Sequence, residues 1–122
     1  MRPAKLQSFN KSGPESVIQA NLKAYLEARA WLVIETHGNA FQMGLPDLWC
    51  AHYEFGQRWV EVKNPEGYNF TPAQRQVFPM MMSKGVGIWI LTAADEYEYQ
   101  KLFNPPNWHC FLGKTHYTRV GA

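Results

Sequence analysis

Glu15, Ile18, Leu22, Tyr25 and Leu26 recur at helical spacing, so the chain from Ser12 to about Arg29 reads as a helix with one apolar stripe. Ser12-Gly13-Pro14-Glu15 supplies its start, with a serine N-cap, a proline early in the first turn and a glutamate three residues after the serine. Trp31 to Thr36 is rich in apolar residues and reads as a strand, and His37 to Leu45 is a loop punctuated by Gly38-Asn39 and Gly44. Asp47 to Tyr53 and Arg58 to Lys63 read as two further strands joined through Phe55-Gly56-Gln57. Asn64 to Gly67 is a turn, Thr71-Pro72 opens a second helix, Val86 to Leu91 is a buried strand, and Asp95 to Leu102 is a third helix. Pro79 lies inside the second helix and predicts a kink or an early end, and Met80 to Met82 offers adaptable apolar surface for core or a subunit contact. The order α-β-β-β-α-β-α predicts an α/β fold, a sheet with helices on its faces. Residues 1–11 read as a loose arm and residues 103–122 as a C-terminal extension.

The hairpin carries the chemistry. Asp47 and Glu61 are fourteen residues apart, the length of two short strands and a turn, so folding brings Asp47 back beside Glu61. Side chains alternate across a strand, which puts Trp59, Glu61 and Lys63 on one face and Val60 and Val62 on the other. With the valines turned to the core, two carboxylates and one ammonium converge. Hard divalent cations such as magnesium take oxygen ligands and need only one or two carboxylates besides water and substrate phosphate. Asp47 and Glu61 meet that requirement, and Lys63 is placed to orient a water or neutralise developing charge. The plain alternative is a surface Glu/Lys pair on an edge strand after a Pro46-Asp47 turn. Each element alone favours that reading; their coincidence at hairpin spacing favours a site.

Two residues have both structural and chemical explanations. Glu15 completes a capping box with Ser12, worth about 1 kcal/mol, yet it also borders the apolar stripe, where a carboxylate is costly unless a cation or hydrogen bonds receive it. Thr71-Pro72-Ala73-Gln74 is likewise a capping box with proline at the first helical position.

Composition bounds the function. At 122 residues the chain reads as one domain, and its 46% hydrophobic content supports a folded core. No stretch approaches the roughly 20 apolar residues of a membrane span, and the N-terminus lacks the apolar core of a signal peptide. Cys50 and Cys110 have no metal-ligand spacing, so free thiols in a cytoplasmic protein are expected. His52, His109 and His116 show no zinc spacing either. A net charge of +2 does not mark a nucleic-acid protein by itself. Lys11, before the first helix, and Arg75, after the candidate site, are among the cations available to backbone phosphates, although solvated surface is the ordinary role of such residues. Tyr68, Phe70, Trp59 and the stretch Phe103 to Trp108 are candidates for stacking on unpaired bases against the more common role of core packing, with Tyr68 the best placed. His37, in the loop before Gly44, is a candidate phosphate contact against an idle loop histidine.

Taken together, Glu15 in the first helix, Gly44-Leu45-Pro46-Asp47-Leu48, Glu61-Val62-Lys63 and Phe70-Thr71-Pro72-Ala73-Gln74 resemble the PD-(D/E)xK nuclease superfamily. Within it the pattern is most similar to virus-type replication-repair nuclease (VRR-NUC) domains and Holliday junction resolvases, from about Glu15 to Leu102. The resemblance implies a restriction-endonuclease-like mixed sheet flanked by helices and Mg2+- or Mn2+-dependent DNA hydrolysis leaving a 5′-phosphate and a 3′-hydroxyl. It implies metal ligation by Asp47, Glu61, Glu15 and the Val62 backbone carbonyl, and a catalytic set of Asp47, Glu61, Lys63, Gln74 and Glu15. It further implies branched DNA as substrate, a homodimer to cut both strands of a junction, and the cytoplasm of a bacterial or phage-infected cell. Flap or single-strand trimming, DNA degradation or restriction, and a non-catalytic DNA-binding module of the same fold are the alternatives.

Overall fold

Helix α1 (Gly13–Glu27) lays Leu22 and Leu26 on one face of a sheet, with Ile18 and Tyr25 packed at the margin, as its apolar stripe requires. The computed structural model describes residues 13–36 and 43–112; the expected arm, the Ser12 cap, His37 and the tail beyond Leu112 lie outside the described residues. No glycine marks the end of α1. Ala30 takes the left-handed conformation at φ 71° instead, and the Trp31 amide reaches back to the Leu26 carbonyl at 3.1 Å.

Strands β1 (Leu32–Glu35), β2 (Leu48–His52), β3 (Gly56–Val62) and β4 (Ile88–Leu91) form a sheet in that order. The first three are antiparallel neighbours, and β4 joins β3 in parallel after a crossover through helix α2 (Pro72–Ser83). The sheet is therefore mixed. Val33, Leu48, Cys50, Val60, Val62 and Leu91 meet α1 on one face. Ile88 and Ile90 meet Phe70, Phe78 and Trp108 on the other. Alternation along β3 divides Val60 and Val62 from Trp59 and Glu61, as expected.

Pro79 does not end α2, which runs on to Ser83. Pro79 and Arg75, the residue whose carbonyl loses its helical donor, both lie exposed, so the missing hydrogen bond falls towards solvent. Of the methionines that follow, Met81 packs against the second core cluster while Met80 and Met82 are exposed.

The chain after β4 forms α3 (Glu96–Gln100), a 3-10 turn (Lys101–Phe103) and α4 (Trp108–Leu112). Between them, Asn104 to Asn107 follows the outer edge of β4. The Asn107 side chain accepts from the Ile90 amide at 2.6 Å and donates to the Ile90 carbonyl at 3.2 Å, supplying both bonds that a further strand would make. Pro106 lies so close to Gly87 that a Cβ there would fall 2.4 Å from its Cγ. Trp108, a candidate base-stacking residue, is buried in the core.

Cys50 is buried and Cys110 exposed, both as free thiols. Burial pushes the Cys50 thiol up to about 12 from 9.0. The folded chain thus holds a proton that the unfolded chain has released, so the stability linked to Cys50 is full below pH 9.0 and falls as pH rises towards about 12. At pH 8 a disulfide reagent should titrate Cys110 alone in the native protein and both thiols after denaturation; rapid native reaction of both would contradict the buried placement. Gly44 gives a second test. Its φ is +87°, and a Cβ there would meet Val77 Cγ2 at 2.7 Å and the Ala73 carbonyl oxygen at 3.0 Å. Gly44→Ala should cost about 1–2 kcal/mol from the left-handed backbone alone, with the clash added. Gly67, with nothing within 4 Å of its added Cβ, should tolerate alanine to within about 0.5 kcal/mol by urea unfolding.

Candidate active site

The pairing of β2 with β3 sets Leu48 against Val60, which carries Asp47, the residue just before β2, to the side of Glu61. The Asp47 backbone is held by the Thr36 amide, which donates to its carbonyl at 2.9 Å, while the Thr36 hydroxyl donates to the Pro46 carbonyl. Two hydrogen bonds then cross between the strands. The Asp47 amide donates to Glu61 Oε1 at 3.1 Å, and the Val62 amide donates to Asp47 Oδ2 at 2.8 Å. Each carboxylate is fastened to the neighbouring strand's backbone.

The second oxygen of Glu61 faces α2. Glu61 Oε2 accepts from Gln74 Nε2 at 2.8 Å and forms an ion pair with Lys63 Nζ at 3.1 Å. Lys63 also donates to Gln74 Oε1 at 3.2 Å and to the Asn69 carbonyl, with its ammonium 4.6 Å from the centre of the Phe70 ring. Glu61 is 0% exposed, Lys63 3% and Asp47 6%. Burial at this depth is tolerable only because the charges are paired and hydrogen-bonded. This is not the solvated Glu/Lys pair of the plain alternative.

Gln74 completes the capping box and also reaches the acidic cluster. Its Oε1 accepts from the Thr71 amide at 3.0 Å and its own amide donates to Thr71 Oγ1 at 3.1 Å, which completes the capping box of α2. Its Nε2 is what reaches Glu61. One side chain therefore starts the helix and ties it to the site.

Glu15 stands at the same end of β3. Its Oε2 accepts from the Asn64 amide at 2.9 Å. Alternate amides along a strand point to the same edge, so Val62 and Asn64 both face the side where β2 has stopped pairing, and the Val62 carbonyl faces that side too. Asp47 and Glu15 take these amides in place of a strand. Among the described residues no three His, Cys, Asp or Glu side chains form a group able to hold a metal ion. The donors along that strand edge, the Asp47 and Glu15 carboxylates and the Val62 carbonyl, are all oxygen. That set fits a hard divalent cation that completes its shell with water and substrate phosphate.

The flanking candidates separate. Tyr68 packs edge-on between Phe70 and Phe111, with ring centres 6.0 and 5.5 Å away, and its hydroxyl donates to the Phe111 carbonyl at 3.3 Å; burial pushes its pKa up. Arg75 is exposed on α2 next to Gln74 and donates to the Phe70 carbonyl. Phe70 is buried and Trp59 packs against the same cluster. His37 and Lys11 lie outside the described residues. Sequence reasoning overlooked Thr36 and Asn69. Thr36 acts through its amide and through a hydroxyl bond to the Pro46 carbonyl, and Asn69 through a carbonyl; each is a contact to a backbone group that leaves no motif.

Removing the cation from this network should destabilise the fold. In a chelating buffer Lys63→Met should lose about 3–5 kcal/mol, the usual penalty for stranding a buried charge. Adding Glu61→Gln to that variant should recover much of the loss, because the carboxylate that Lys63 neutralised is then replaced by a neutral amide. Urea midpoints for the two single variants and the double variant measure the coupling; additive losses would show that the pair is not interacting.

No protein-family profile matches this chain, and no curated protein matches it. A solved structure described as a VRR_NUC domain is similar to it with a TM-score of 0.61 and 20% sequence identity, over 76% of this chain and 98% of that one. The mixed sheet with helices on both faces is thus the fold of a VRR_NUC domain, restriction-endonuclease-like as the sequence resemblance implies.

Proposed function

We propose that this chain is a divalent-metal-dependent deoxyribonuclease that hydrolyses phosphodiester bonds in branched DNA. The observation that carries this reading is the buried union of Asp47 and Glu61, with Lys63 and Gln74 bound to the same carboxylate. A purely structural ion pair needs no second acid fixed to the neighbouring strand. The similar solved structure is described as a VRR_NUC domain, and that name supports a nuclease reading.

In this reading Asp47 and Glu61 hold Mg2+ or Mn2+, with the Val62 carbonyl and Glu15 at the margin of its shell. When bound, such a cation supplies charge stabilisation at the phosphoryl oxygens and a lowered pKa for water. Lys63 orients the nucleophilic water through a hydrogen bond to its oxygen or neutralises the negative charge that develops on a phosphoryl oxygen, at a buried position whose low dielectric strengthens its charge. Gln74 keeps Lys63 and Glu61 in register. Arg75, Tyr68, His37 and Lys11 serve as contacts to the flanking DNA. A four-way junction must be cut on two strands and the described residues offer one such cluster, so the reading entails a two-fold homodimer; the setting we propose for it is the cytoplasm of a bacterial or phage-infected cell.

The test incubates the protein with Mg2+, Mn2+ or a chelator against labelled four-way junctions, flaps, single strands and linear duplex. Cleavage should require the metal, prefer the junction and leave 5′-phosphate ends. Asp47→Asn and Lys63→Met should each lower the rate by about 10²- to 10³-fold, the range for losing one group that stabilises transition-state charge. Metal-independent cutting, or full activity in Asp47→Asn, would refute the assignment; equal cutting of all four substrates would remove the junction preference.

A further inference from the structure

Gln19 lies one helical turn beyond Glu15 on α1 and is 5% exposed, yet its Oε1 is buried without a hydrogen-bond partner. An unpaired buried acceptor costs about 1–3 kcal/mol. Its neighbours Ile18 and Leu22 belong to the apolar packing against the sheet, where a methionine or leucine at position 19 would fit without that cost. The amide therefore calls for a ligand rather than for packing.

Its direction follows from helix geometry. Side chains on a helix lean towards the N-terminus, so Gln19 covers the turn that holds Glu15. Glu15 is fixed to the Asn64 amide, and Asp47 to the Val62 amide, on the same edge of β3. Gln19 thus shares the helix face of Glu15, whose carboxylate is bound at the end of β3. A hard cation held by one or two carboxylates keeps several waters, and their protons need acceptors. An amide oxygen accepts without adding another negative charge beside Glu15.

We propose that Gln19 is a positioning residue for the bound cation, its Oε1 accepting a hydrogen bond from a water of the cation's shell. This inference rests on the metal-dependent reading above.

Calorimetric titration of Mn2+ into the full chain, without nucleic acid, tests it apart from activity. Gln19→Met keeps the volume and removes the acceptor, and should weaken Mn2+ binding by about tenfold or more, as losing an outer-shell partner typically does. Gln19→Glu keeps an oxygen there and should retain the wild-type Kd or tighten it. Wild-type affinity in Gln19→Met would overturn the role of Gln19 and leave the metal reading standing. Should Gln19→Met fail to fold, Gln19→Glu decides, and a tenfold weaker Kd in it would overturn the role. If the wild type takes up no Mn2+, both readings fall.

Discussion

The burial of the Glu61 carboxylate is the constraint around which this molecule is arranged. A charge removed from water must be met on each of its oxygens, and three parts of the chain meet it. The start of β2 brings the Asp47 amide, β3 itself brings Lys63, and the first turn of α2 brings Gln74. None of these alone would balance the desolvation. The arrangement therefore makes the hairpin, the crossover helix and the loop before Asp47 dependent on one another. Gly44 belongs to the same constraint: its backbone comes against Ala73 and Val77, in the opening turns of the helix that carries Gln74.

This explains why some of the site was legible in the sequence. The convergence of Asp47, Glu61 and Lys63 follows from hairpin spacing and the two-residue period of a strand, both local. The capping box at Thr71 was equally local, and the second duty of Gln74 became visible only when the helix start was set against β3. Other features depend on contacts between distant segments and leave no local signal. Asn107 reads as an ordinary loop residue until Ile90 lies beside it. Ala30 ends a helix in a conformation that the sequence would have advertised with glycine. Pro79 is the opposite case: a strong local signal for a helix break has little consequence where the lost hydrogen bond faces solvent.

The two ends of the sheet differ in how their open backbone is treated. On the β4 side, the Asn107 amide copies the pairing of a strand, and Trp108 continues into the core beneath Phe70 and Phe78. On the β1 side, Leu32 and Ile34 are exposed on the described strand. The segment that sequence reading set apart as an extension is, up to α4, therefore part of what closes the second face. Its aromatic residues are explained by that closure before any contact with bases is invoked.

Side-chain carboxylates standing in for a strand connect the fold to its chemistry. Where β2 ceases to pair, the amides of Val62 and Asn64 would be left without partners; Asp47 and Glu15 take them. The same bonds that finish the sheet hold acidic groups against one edge of β3, together with a backbone carbonyl facing the same way. A carboxylate has two oxygens and about four acceptor positions, so an amide can orient it without exhausting it. The sheet's need for acceptors and a cation's need for oxygen ligands can then be met by the same side chains. That economy sets the candidate site where β2 stops pairing, with Glu61 reaching from the α2 face of β3 to Gln74 and Lys63.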